Sequence, residues 1–203
     1  MALGKEEAWR RFATEVGGEF VKGDRGLRRL FGGKPDRVLV QANQWPITLD
    51  TYEAGDQYTS TTYTRMMAPY VHNDGFRFAL YRKTMLSGLG KFLGMQDIEV
   101  GYPDFDPDFM IKANDEFKVR ELLADSRIRQ LIQSQPSIHL QVKHGEGWFR
   151  RGLPQNVHQL YFEEASLITD AARLKSLCEL FGETLNRLYQ IGSASKEDPG
   201  VEP

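Results

Sequence analysis

The chain has 203 residues, 40% apolar and 27% charged, with 19 Gly and 9 Pro; this is ordinary globular usage and excludes collagen-like, low-complexity and disordered chains. Lys and Arg number 26 against 28 Asp and Glu, a formal net charge of -2, which argues against a nucleic-acid binder. The lone Cys178 rules out an intrachain disulfide, and a chain of this length buries roughly 70% of its unfolded surface without needing metal or disulfide staples.

The first residues carry Lys5, Glu6, Glu7, Arg10, Arg11 and Glu15, so they offer no apolar core for a secretory signal. No apolar run approaches the roughly 18 residues of a membrane-crossing helix, and no Asn stands two residues before a Ser or Thr. A cytoplasmic protein is expected. Trp9, Phe12, Ala13 and Val16 recur at helical spacing before Gly17-Gly18, which predicts an amphipathic helix over 5–16. Strands follow at 37–42 and 46–54, bridged by Asn43-Gln44-Trp45, with Pro46 allowed only at an edge or a strand start. The Tyr- and Thr-rich stretch 57–67 and the alternation of Phe76, Phe78 and Leu80 predict two more strands, with Asn73-Asp74-Gly75 as the turn between them.

Short strands at 98–100 and 108–112 lead to Asn114-Asp115, a capping pair for a helix that carries Val119, Leu122 and Leu123. That helix is expected to break near Asp125-Ser126, restart with Ile128, Leu131 and Ile132, and stop before Pro136. Ile138, Leu140 and Val142 alternate with polar residues, 157–164 gives a further strand, and Thr169-Asp170 caps a last helix with an apolar stripe from Leu174 to Leu188. Strands segregated from helices predict an α+β fold, an antiparallel meander-like sheet with helices packed mainly on one face. Residues 1–192 read as one domain and 193–203 as a disordered C-terminal tail.

The run Phe105-Asp106-Pro107-Asp108-Phe109-Met110-Ile111-Lys112-Ala113-Asn114-Asp115 resembles a motif of an uncharacterised family of bacterial domains: Phe-Asp, two residues, Phe, an aliphatic-Lys strand, then Asn-Asp before a helix. The resemblance covers about residues 97–190. It implies a bacterial domain of unknown function, some relatives of which belong to membrane-anchored chains, and it carries over no catalytic residue.

Motifs that bear chemistry are sparse. Asp104, Asp106 and Asp108 alternate as in a calcium loop, but Phe109 stands where that loop needs Gly and Asp115 where it needs a bidentate Glu; turn carboxylates bonding backbone amides are the simpler reading. Gly88, Gly90 and Gly94 miss the dinucleotide spacing by one residue, and Gly33-Lys34 lacks the rest of a phosphate loop. His72, His139, His144 and His158 are scattered without metal-ligand spacing, so neither metal nor cofactor is expected. Glu163 and Glu164 are neighbours on a strand and point to opposite faces. Two surfaces remain. Lys22, Arg25, Arg28, Arg29, Lys34 and Arg37 stand against only Asp24 and Asp36, a candidate anion-binding loop. Met85, Leu86, Leu89, Phe92 and Leu93 share one helical face, a candidate interaction surface.

The sequence therefore favours a non-catalytic module that binds another protein or itself. Two other readings stand beside it: a peripheral membrane or anionic-ligand binder using both surfaces, and an enzyme with a dispersed site whose catalytic residues no motif marks, His158, Glu163 and Asp50 being no more than guesses. No nucleic-acid partner is expected.

Overall fold

The computed structural model describes residues 4–24, 34–55, 58–85, 96–144 and 153–201, which form four α-helices and nine strands. Helix α1 (Lys5–Val16) ends where Gly17 turns left-handed, φ 66°, with the Gly17 and Gly18 amides bonded back to Thr14 and Ala13. Strands β1 (Glu19–Val21), β2 (Arg37–Ala42), β3 (Trp45–Gly55) and β4 (Ser60–Val71) follow. Ala42 pairs with Trp45, so the β2–β3 loop is two residues long, and Asn43 takes a positive φ of 56°, a conformation Asn tolerates. Pro46 lies ahead of Thr48, where pairing with β4 begins, so its missing N–H breaks no ladder on that side.

The chain continues with β5 (Phe78–Arg82), a single 3-10 turn (Lys83–Met85), β6 (Gln96–Asp97) and β7 (Phe109–Ala113). Helices α2 (Glu116–Leu123) and α3 (Ser126–Gln133) come next, then β8 (His139–His144), β9 (Val157–Glu164) and α4 (Ala171–Gln190). Three helices start on Asp caps: Asp115 accepts from the Lys118 amide, Asp125 from Arg127 and Ile128, and Asp170 from Ala172 and Arg173, each satisfying amides that a helix start leaves open.

All strand pairs are antiparallel, in the order β1-β2-β3-β4-β9-β8-β5-β7-β6. Strands β2, β3 and β4 are the expected meander, and β1, which the sequence pattern does not predict, is added at the edge of β2. After β4 the sheet departs from it: Asn73-Asp74-Gly75 does not join hydrogen-bonded neighbours, because β9 and β8 lie between β4 and β5. The segment is a corner. Gly75 has φ 72°, the Asp74 carboxylate takes the Phe76 amide, Lys118 and the Ser193 hydroxyl, and the Asn73 side chain reaches the carbonyls of Gly192 and Ala194.

Those last contacts order residues 193–195, the start of the stretch expected as a disordered tail. Ser193 and Ala194 are buried, Ala194 bridges His72, and the Ser195 amide donates to Val71. The segment lacks apolar periodicity because backbone hydrogen bonds hold it, not a buried stripe. The first short strand of the second half also lies earlier than expected, at Gln96–Asp97. The amides of Val100, Gly101 and Tyr102 all donate to the Asp106 carboxylate at 2.8–3.0 Å instead, while Phe105 is fully buried and stacks on Phe109.

Alternation along the strands sorts the residues of the sheet. Val38 and Val40, Ile47 and Leu49, Met66 and Tyr70, Phe78 and Leu80, Leu140 and Val142, and Leu160 and Phe162 join side chains from all four helices in one apolar cluster. Within it the Trp9 indole donates to the Ile168 carbonyl and Trp45 to Asn186. The other side of the sheet is mixed, with Met67 and Ala79 beside polar residues, of which Thr48, Asp50, Arg65, Gln141 and Gln159 are all buried as well. Among the described residues no helix is long and apolar enough to cross a membrane. Asp106→Ala leaves three amides without their shared acceptor and is expected to destabilise the protein by about 2–3 kcal/mol, read as a lower urea midpoint with an unchanged slope.

Candidate functional site

The polar side of the sheet gathers titratable groups from four strands. Asp50 and Arg65 are register partners on β3 and β4, and Arg65 grips both carboxylate oxygens, Nε to Oδ1 at 2.5 Å and a terminal nitrogen to Oδ2 at 2.6 Å, with both side chains buried. A planar fork matched to a planar carboxylate is the geometry in which a buried ion pair holds. On β9, Glu163 is opposite Arg65. Its Oε2 accepts 2.8 Å hydrogen bonds from the Tyr52 and Tyr161 hydroxyls. His139 Nδ1 of β8 lies 3.7 Å from Oε1, and Lys143 Nζ sits 3.3 Å from the centre of the Tyr161 ring. Tyr63 stacks on Tyr52 with ring centres 5.0 Å apart.

Burial alone would raise the Glu163 carboxyl, but the two phenol donors, with Lys143 and His139, outweigh it and hold the group below the usual carboxylate range. Burial and the adjacent carboxylate push both Tyr52 and Tyr161 upward, which makes them fixed donors and poor acids. Burial, helped by Lys143 against the pull of Glu163, lowers His139, so its imidazole is neutral at pH 7. Across the strand Glu164 points the other way, as alternation requires, into Arg173, Ser137 and Ser166. Those three donors overcome its burial and lower it too.

Of the basic loop residues, Lys22 is ion-paired to Glu6 at 3.0 Å on α1, Arg37 stands in register with Asp50, and Lys34 lines a cavity of about 450 Å³ with Lys5, Asp36 and Glu53. Arg25, Arg28 and Arg29 lie outside the described residues. Met85 closes the 3-10 turn, and Leu86, Leu89, Phe92 and Leu93 lie outside the described residues. Cys178 is buried on α4, where burial and then Glu179 push its thiol up to about 11, which leaves it inert.

The histidines are not scattered in space. His139 belongs to the Glu163 cluster, while His72, His144 and His158 converge, one ligating nitrogen of each within 4.8 Å of the others. Sequence spacing missed both groups because their members come from strands made neighbours by the β4–β9 and β8–β9 ladders. The one signal in the chain itself was alternation, which put His139 on the polar side of its strand and Glu163 and Glu164 on opposite faces of theirs.

No protein-family model matches the chain, and no curated protein matches it. Among solved structures, the crystal structure of the mycobacterial trehalose monomycolate transport factor A, TtfA, is similar, with a TM-score of 0.51 at 11% sequence identity over 91% of this chain and 96% of that one. The two share a fold. At that identity the likeness extends to the arrangement of strands and helices, and site chemistry is argued from the residues present.

Removing one partner of the buried pair strands the other's charge: Arg65→Met is expected to cost about 3–5 kcal/mol, and pairing it with Asp50→Leu should restore most of that loss, as read by chemical denaturation. Glu163 and Glu164 both ionise below their unfolded value of about 4.3, so the stability they contribute is complete above that pH and is lost as pH falls through their depressed folded values. Tyr52→Phe and Tyr161→Phe should each raise the Glu163 pKa in a carboxyl NMR titration and bring acid unfolding to a higher pH.

Proposed function

We propose that the chain is a non-catalytic binding module whose partner is another protein, docking on the polar side of the sheet at Tyr63, Lys143 and the rim of the Glu163 cluster. In this reading the helices cover one face of the sheet and leave the other to the partner. The observation that carries it is the saturation of the cluster: Asp50 is gripped at both oxygens by Arg65, and Glu163 is held by two hydroxyls. The phenols are pushed away from acid chemistry and His139 away from its charged form. Catalytic acids and bases are poised near the working pH; these groups are driven from it in both directions. What they supply is a rigid floor beneath a half-buried, stacked tyrosine pair, Tyr52 and Tyr63, with Lys143 lying over the Tyr161 ring of the same cluster, and tyrosines on rigid supports are favoured anchors at protein interfaces. The fold likeness to a transport factor agrees with an accessory role played through binding.

The test uses the purified chain as bait in extract of its host cells, beside a Tyr63→Ala/Lys143→Ala variant whose melting temperature shows it to be folded. At least one protein retained near stoichiometrically by the wild type should be depleted by tenfold or more with the variant. Equal recovery by both, or retention by neither, overturns the proposal.

A further inference from the structure

His72, His144 and His158 stand at the ends of three neighbouring strands. His72 follows β4 directly, His144 closes β8, and His158 is the second residue of β9. Register sets His144 opposite His158 and His158 opposite Tyr70, so His158 lies between the other two. Its ring stacks on His72 with centres 3.8 Å apart and meets His144 edge-on at 5.1 Å. Exposure grades across the group: His158 is only 2% exposed, His72 is intermediate and His144 is open to solvent. The arrangement has a floor, a wall and a mouth.

The floor carries the telling atom. Nδ1 of His158 is buried and has no hydrogen-bond partner among the described residues, an exception among buried polar atoms and one that calls for a partner. We propose that His72, His144 and His158 form a binding site for a divalent transition-metal cation of the zinc class.

The donor set fits that class. Three imidazoles without a carboxylate suit Zn²⁺, Ni²⁺ or Cu²⁺ and not the oxygen-seeking Ca²⁺ or Mg²⁺. Asp74, the acid whose charge reaches His158, is already taken by Lys118, Ser193 and the Phe76 amide. His72 shows the outer bond that orients a ligating ring: Nε2 lies 3.2 Å from the Gln155 carbonyl. Its Nδ1 accepts the Gly75 amide at 3.1 Å, and that bond is the one a metal ion would replace. Zn–N bonds of about 2.0–2.1 Å place tetrahedral ligand nitrogens about 3.4 Å apart, so binding draws the 4.8 Å group together and unstacks His72 from His158. Three protein nitrogens leave a fourth position for water or for a side chain of a partner.

The experiment takes the full chain without a histidine tag, stripped with chelator, and titrates it with Zn²⁺ against a chromogenic competitor. Co²⁺ absorption serves as a second readout of tetrahedral nitrogen ligation. One equivalent should bind with micromolar or tighter affinity. His144→Ala, whose side chain is exposed, should fold normally and bind at least about tenfold more weakly. His158→Ala should abolish binding, and His139→Ala, on the polar side of the sheet, should leave it unchanged. Absence of a one-equivalent site in the wild type, or equal affinity in wild type and His144→Ala, overturns the proposal.

Discussion

The ladder between β4 and β9 holds the molecule together. Eight residue pairs, from Thr64↔Glu164 to Val71↔Val157, are the seam that joins the β1–β4 meander to the half built from β5–β8. Without it the chain would form two smaller sheets, each with an unpaired edge in the middle of what is now a continuous ladder. The seam closes longer loops than any other ladder of the sheet, so its entropy of closure is offset only when the apolar side chains along it, Met66, Ala68, Leu160 and Phe162, meet the helix side chains in the common core.

The same seam explains why the polar side of the sheet can be buried without being apolar. Arg65 and Glu163 face each other across it, yet Arg65 pairs with Asp50 on the neighbouring strand and Glu163 with the two tyrosine hydroxyls. Each charge is met by donors or acceptors in a fixed geometry. A burial cost that would exceed the Coulombic gain for a loosely held pair is thereby kept in check. The consequence for function is rigidity: groups that hold one another in place present a constant surface to whatever binds.

How much of this is legible in the chain depends on whether the signal is local. The helices were readable because 3.6-residue stripes and, for three of the four, Asp caps are local signals, and β2 and β3 because a tight loop joins them. Asn73-Asp74-Gly75 has the residues of a hairpin turn, but a turn motif specifies a bend and not the neighbour of the strand that follows it. That neighbour was decided by β8 and β9, some seventy residues on. The segment 193–195 was opaque for a different reason: what orders it is backbone pairing with Val71, His72 and Asn73, and backbone groups leave no mark on sequence. The two side-chain clusters were hidden for both reasons at once, since their members are brought together by register between distant strands.

The two clusters sit toward opposite ends of the seam and on opposite faces of the sheet. Arg65 and His72 are seven residues apart along β4, about 23 Å of extended chain, and an odd number of steps turns the side chain to the other face. Direct electrostatic coupling over that distance is screened at physiological salt, so the Glu163 group and the three histidines are independent sites on one scaffold. Any coupling between them would have to pass through the β4–β9 ladder itself. Eight paired residues flanked by a packed core make that ladder stiff, and a stiff element with a single arrangement transmits no switch between sites. A fold of this kind can carry different chemistry at each end, as it can carry different residues in a chain only 11% identical, because alternation and pairing specify the sheet while the strand ends are left to vary.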